Sequence, residues 1–142
     1  MLFKKCFILL LVFLLPVASN SANYFFQNHS FVFFFASSCP YCHQFAPILR
    51  NLAAHLDAQI YPYSLDSKPI ATFTNFLRPP TNLITIAFQD KEIKYPALFI
   101  LNDETNALYP VSFGFLSAAE LVERLQIVKE KVEEHEKNYP NF

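Results

Sequence analysis

The sequence predicts an α/β fold with elements in the order β-α-β-(α)-β-β-α, and three observations carry that reading. FVFFFA, residues 31–36, is a continuous aromatic and β-branched run, the pattern of a strand buried on both faces at the centre of a sheet. A helical stripe follows it at once. Late in the chain YPALFILN (95–102) and ALYPVSF (107–113) read as two strands joined by the turn NDETN, and SAAE (117–120) is a capping box that opens a final helix.

The elements follow in order. After a short extended lead from Tyr24 to Asn28, the first strand is broken by Ser37 and Ser38. A helix starts around Cys39–Pro40, where proline suits the first turn. Leu49, Leu52, Ala53 and Leu56 carry its apolar stripe to His55 or Leu56. AQIYPYSL (58–65) reads as a second strand, with Pro62 suggesting an edge position or a bulge. Residues 66–90 mix three prolines with no single period; they read as a loop and then a short helix from near Pro80, with a strand at Leu83–Phe88 as the alternative. The last helix runs to about Lys137, with Leu116, Leu121, Leu125 and Val128 on its apolar stripe and a second half of solvated Lys and Glu.

At 142 residues there is room for one domain. The chain has 17 Phe, no Trp and one Gly, a composition able to build a core. Net charge is −1 with no basic face interleaved with aromatics, so nothing points to nucleic acid. MLFKKCFILLLVFLLPVASNSA has two lysines, an apolar run from Cys6 to Leu15, then Pro16 and small residues. That is the order of a secretory signal peptide, and the run is shorter than the roughly 20 residues of a membrane span. The expected organisation is a cleaved signal over residues 1–21 and one domain over 22–142, exported to the periplasm with no stable membrane span. Removal takes Lys4, Lys5 and Cys6 away, leaving a net charge near −3 and two cysteines, Cys39 and Cys42.

An exported domain with one cysteine pair has no disulfide framework to build, so the pair is expected to work and not to staple. A cysteine at a helix N-terminus faces unsatisfied N–H groups and the positive end of the helix dipole, and both favour thiolate over thiol. On this geometry Cys39 stays exposed as the attacking nucleophile, and Cys42, one turn in, is shielded and resolves the mixed disulfide. Pro40 and Tyr41 between them tune the redox potential. His43 adds to thiolate stabilisation if protonated, or is a helix histidine with no role.

C-x-x-C-H is also a haem attachment motif, but the only methionine is Met1, leaving His29, His55 or His135 as second ligands. A structural zinc site wants four Cys or His ligands, and no second pair exists, so neither metal nor cofactor beyond the Cys39–Cys42 disulfide is expected. A non-catalytic binding or assembly module with a structural Cys39–Cys42 disulfide is the alternative from a different class.

The residues FVFFFASSCPYC, Pro47 five positions after Cys42, and YPALFIL resemble the thioredoxin superfamily. The resemblance implies a thioredoxin-like α/β fold, a central mixed sheet flanked by helices with the dithiol at the start of the first main helix. It also implies a cis peptide at Tyr95–Pro96, substrate binding through the backbone at Tyr95, and a kink at Pro47. Gly114 stands where the superfamily often has a glycine. Two departures stand out. Thioredoxin reductants carry an acid six residues before the first cysteine, where this chain has Phe33, and glutaredoxins carry a Gly-Gly stretch that it lacks. FFFASSCPYCHQFAPIL with IYPYSLD resembles the TrbB-like periplasmic thiol-disulfide isomerases of F-type conjugative transfer systems. That likeness implies an isomerase or oxidase acting on cysteine-containing exported proteins, among them pilus or type IV secretion components, with a redox partner still to be identified.

Overall fold

A computed structural model describes residues 24–140. The expected signal peptide, with Lys4, Lys5, Cys6 and the cleavage position, lies outside the described residues. The expected extended lead is instead a turn, in which the Gln27 N–H donates to the Tyr24 carbonyl at 3.2 Å and brings Phe25 and Phe26 into the core.

Four strands form one mixed sheet in the order β2-β1-β3-β4: β1 His29–Phe35, β2 Ile60–Ser64, β3 Ala97–Asn102 and β4 Leu108–Phe113. β1 pairs parallel with β2 and antiparallel with β3, and β3 pairs antiparallel with β4. Every residue of β1 is buried, as a continuous apolar run at the sheet centre requires. Its alternate side chains serve two cores. Phe31, Phe33 and Phe35 face helix α1 (Pro40–Leu56) and helix α3 (Ala118–Asn138); Val32 and Phe34 face helix α2 (Thr81–Phe88) on the other side.

Prolines sit where a missing donor costs least. Pro62 lies on the edge strand β2 and Pro110 on the opposite edge strand β4, beside a register shift that leaves Val111 without a partner. The 65–80 segment buries Ile70 and Phe73 against the α1 face, then passes the outer edge of β2. There the Leu77 N–H donates to the Pro62 carbonyl at 2.7 Å and the Ser64 N–H to the Leu77 carbonyl at 2.9 Å. The chain thus wraps the sheet edge and delivers α2 to the far face, so residues 83–88 form helix and not the alternative strand.

α3 opens with both arms of its capping box: the Ser117 side chain accepts from the Glu120 N–H, and the Glu120 carboxylate accepts from the Ser117 N–H at 2.8 Å. Its second half is not wholly solvated, contrary to expectation. Val132 is buried, and Glu136 reaches back to the sheet, accepting from Asn102 Nδ2 at 2.8 Å and meeting His29 Nε2 at 3.1 Å. His29 is stacked on Phe25, with ring centroids 4.0 Å apart, and its Nδ1 lies 2.9 Å from the Phe25 carbonyl. This network ties the end of α3 to the start of β1, at the far end of β1 from the cysteines.

Candidate active site: the dithiol and its surrounding cleft

β1 ends at Phe35, and the turn Ala36–Ser38 hands the chain to α1 with Cys39 as N-cap and Pro40 inside the first turn. Cys39 has extended backbone (φ −89°, ψ 110°), and its Sγ accepts the Cys42 N–H at 3.1 Å. One of the orphan donors of the helix start is therefore spent on a sulfur. The two thiols are free.

The expectation that Cys39 stays exposed is corrected: it is 7% exposed, against 0% for Cys42. As N-cap its side chain turns back over the first turn to meet the Cys42 N–H, which withdraws most of it from solvent. The order of accessibility is the expected one, with only a sliver of Cys39 within reach of another molecule. Burial pushes the Cys42 thiol up to about 12; the hydrogen bond with Cys39 and the negative charges of Cys39 and Asp66 add to this, and a backbone hydrogen bond with Ala36 opposes it.

Pro40 and Tyr41, the intervening dipeptide, are both exposed, and the Tyr41 ring lies 6.1 Å from that of Phe115. His43 is also exposed, and its Nε2 donates to the Ser37 carbonyl at 2.7 Å. It braces the turn before Cys39, a contact the sequence reading did not foresee. Pro47 lies on the solvent side of α1. Phe33 is fully buried among aromatic rings, with Phe35, Phe45 and Phe73 as neighbours.

Tyr95–Pro96 is a cis peptide, as the resemblance implied. Pro96 is buried and Tyr95 is 45% exposed. Because Phe34 and Ala97 are register partners, the Tyr95–Pro96 bend and the cysteine-bearing turn emerge at the same end of the sheet. Gly114, with φ +107° in the region that favours glycine, donates its N–H to the Pro96 carbonyl at 2.7 Å and places Phe115 beside Tyr41. A cleft of about 700 Å³ opens between Ser38, Tyr95, Ile84 and Ile93, with Asp66 and Arg78 as its charged members.

Asp66, Arg78 and Phe115 were not singled out from the sequence, and Ser37 was named only as a strand breaker. The signal for Asp66 was an acid just past a strand, and its meaning depends on β2 lying parallel to β1. Among the described residues, no group of three or more His, Cys, Asp or Glu side chains is placed to hold a metal ion. Of the histidines weighed as haem ligands, His29 is engaged with Glu136 and Phe25, and the His135 ring lies against Tyr109 and Tyr139. No helix among the described residues is long and apolar enough to cross a membrane.

Solved structures similar to this chain include a thiol:disulfide interchange protein of the thioredoxin family from Chlorobium tepidum TLS, at 13% identity and TM-score 0.56, covering 76% of this chain and 84% of that one. Another is the exposed lipoprotein thioredoxin of Streptococcus pneumoniae strain TIGR4, at 17% identity and TM-score 0.51, covering 75% and 89%. At such identities the likeness is one of fold, and the fold is thioredoxin-like. Protein TrbB of Escherichia coli (strain K12) is 29% identical over 110 residues, 78% of this chain and 61% of that protein. The chain thus spans about three fifths of the length of this curated relative. Residues 23–126 match the model of the family described as TraF, F plasmid transfer operon protein, and the chain belongs to that family.

Proposed function

We propose that this protein is an exported thiol-disulfide oxidoreductase, of isomerase or oxidase type, that serves folding of cysteine-containing proteins of a conjugative transfer or type IV secretion assembly. The observation that carries the reading is the asymmetric dithiol at the start of α1. Cys39 Sγ receives a helix N–H and keeps a small exposed face, whereas Cys42 is fully enclosed and its thiol is held protonated by burial.

In the isomerase direction the Cys39 thiolate attacks one sulfur of a substrate disulfide. A Cys39–substrate disulfide forms, the substrate S–S bond breaks, and the departing sulfur leaves as a thiolate that takes up a proton. Either a substrate thiolate then displaces Cys39, leaving a rearranged disulfide, or Cys42 gives up its proton and attacks Cys39, closing the Cys39–Cys42 disulfide and releasing a reduced substrate. In the oxidase direction the same steps run backwards from the Cys39–Cys42 disulfide, and the substrate dithiol is oxidised. No cofactor enters either route. A redox partner restores the starting state.

The substrate segment lies along the backbone at exposed Tyr95, beside buried Pro96, with Tyr41 and Phe115 as an aromatic rim for an unfolded chain. Family membership and the likeness to TrbB support the conjugation setting. The charged-then-apolar start of the chain supports export by a signal over residues 1–21 and a periplasmic location.

The burial of Cys39 also suits a static disulfide in a non-catalytic assembly module. Cys39→Ala separates the two readings. The oxidoreductase reading expects loss of all activity above background in refolding of a scrambled disulfide-bonded substrate. Unimpaired refolding by the variant would favour the static module.

A further inference from the structure

We propose that Asp66 is a positioning residue of the dithiol: through Ser37 it pins the turn that presents Cys39, and it holds a fixed negative charge at the end of the sheet from which that turn emerges. The inference rests on the oxidoreductase reading above and assigns a role to a residue outside the C-x-x-C motif.

The geometry is that of a carboxylate built into place. Asp66 Oδ2 accepts the Ser37 N–H at 3.0 Å and the Ser37 hydroxyl at 2.5 Å, and Oδ1 accepts the Ser64 hydroxyl at 3.0 Å. Ser64 is buried at the end of β2, and its Oγ also accepts the Lys68 N–H at 3.0 Å, so the loop carrying Asp66 is itself closed. From the other side the Ser37 carbonyl accepts from His43 Nε2 at 2.7 Å. Asp66, Ser37 and His43 therefore form one polar chain that straddles the turn, two residues before Cys39, and joins the end of β2 to the first turn of α1.

An exposed aspartate on a loop has no need of three donors. Here the donors come from the two parallel strands' ends, and they fix the charge at the wall of the cleft that also holds Ser38 and Tyr95. The hydrogen bonds from Ser37, with those from Ser64 and Lys68, hold the Asp66 carboxyl below the usual range, so the charge is present at neutral pH. The other ionisable groups of the cleft wall and of the first turn of α1 are Arg78 and Tyr95, and Tyr41 and His43. Asp66 is the one carboxylate of the cleft wall among the described residues. A negative charge there disfavours a second one on sulfur. Asp66 thus shifts the balance from the dithiol toward the Cys39–Cys42 disulfide, and its charge adds, after burial and Cys39, to what raises the Cys42 thiol.

The test uses Asp66→Asn, which keeps the shape and an acceptor for Ser37 and removes the charge. Ser37→Ala is the companion, loosening the carboxylate without removing it. Two readouts are taken on the full mature chain: equilibrium with glutathione, in which two glutathione thiols reduce the protein disulfide and leave as glutathione disulfide, and the pH profile of Cys39 alkylation by iodoacetamide. Asp66→Asn is expected to shift the glutathione equilibrium toward the dithiol by about threefold to tenfold, the effect of a neighbouring charge worth up to one pKa unit. Alkylation at neutral pH should quicken by a similar factor, with Ser37→Ala moving both the same way by less. A role confined to holding the fold would lower the melting temperature and leave the pH profile where it was. Both constants within twofold of the parent in Asp66→Asn, with that variant folded by circular dichroism, would overturn the proposal. If Asp66→Asn does not fold, Ser37→Ala decides: both constants moving in the direction expected of Asp66→Asn supports the proposal, and no movement or the opposite direction overturns it. A parent protein that does not exchange with glutathione at all would instead sink the oxidoreductase reading, and the alkylation profile would still judge Asp66.

Discussion

Replacing Glu136 by alanine tests how the end of α3 is tied to the sheet. The carboxylate accepts from Asn102 Nδ2 at 2.8 Å and sits 3.1 and 3.2 Å from His29 Nε2 with its two oxygens, and it also bonds the Tyr109 hydroxyl. His29 is 5% exposed and Asn102 6%, so the variant strands two buried donors. Hydrogen bonds to charged groups contribute about 1.5–3 kcal/mol each, and each stranded buried group costs about 1–3 kcal/mol. Glu136 is 26% exposed, so water takes up part of that loss and the lower end applies, about 2–3 kcal/mol in all. For a domain of this size 1 kcal/mol moves the melting temperature by roughly 4 °C, so Glu136→Ala should melt about 8–12 °C lower. Thermal and urea unfolding followed by circular dichroism measure it. A second arm uses pH. Burial works to raise the Glu136 carboxyl, but the bonds from Asn102, His29 and Tyr109 and the charge of His29 outweigh it and hold it below the usual glutamate range. A depressed carboxyl stabilises the folded state above its unfolded pKa, about 4.3, and that contribution fades as pH falls through the lower folded value. The gap between parent and variant should therefore be full at pH 7 and shrink below about pH 4. A variant melting within 2 °C of the parent at pH 7 would refute the reasoning.

Two further outcomes are expected of the fold. Phe34→Ala empties a site enclosed by the rings of Tyr63, Phe88 and Phe99, at 5.6, 5.3 and 5.7 Å, and should cost about 3–5 kcal/mol in urea unfolding. A cost under 1 kcal/mol would mean that the α2 face is not packed as described. Asp57 ends α1 at φ 53°, ψ 37°, a left-handed conformation that costs an L-residue roughly 1–2 kcal/mol. Asp57→Gly should therefore raise stability by up to about 1 kcal/mol once glycine's greater chain entropy is counted, and a lower melting temperature would contradict that.

Much of this was legible in the residues. The β1 run of aromatics fixes a strand buried on both faces, Pro62 marks an edge, and Ser117 with Glu120 marks a helix start, because each signal is local and each mechanism acts within a few residues. The dithiol's place at a strand-to-helix turn was legible for the same reason. What the sequence could not carry are contacts set by pairing across the sheet. Asp66 meets Ser37 only because β2 lies parallel to β1, and Glu136 meets His29 and Asn102 only because α3 crosses back over the β1 start. The near-burial of Cys39 was missed because the N-cap role turns its sulfur toward the helix, and side-chain direction at a cap is not written in spacing. The wrap of 65–80 around the edge of β2 was out of reach too, since Leu77 pairs through its backbone alone.

The central claim is that Cys39 attacks and Cys42 resolves, and a trap measures it. Cys42→Ala, expressed from the full sequence and analysed on non-reducing gels, should accumulate mixed disulfides with cysteine-containing proteins that disappear on reduction and in the Cys39→Ala, Cys42→Ala double variant. Adducts in Cys39→Ala instead, or none in Cys42→Ala, would contradict the account.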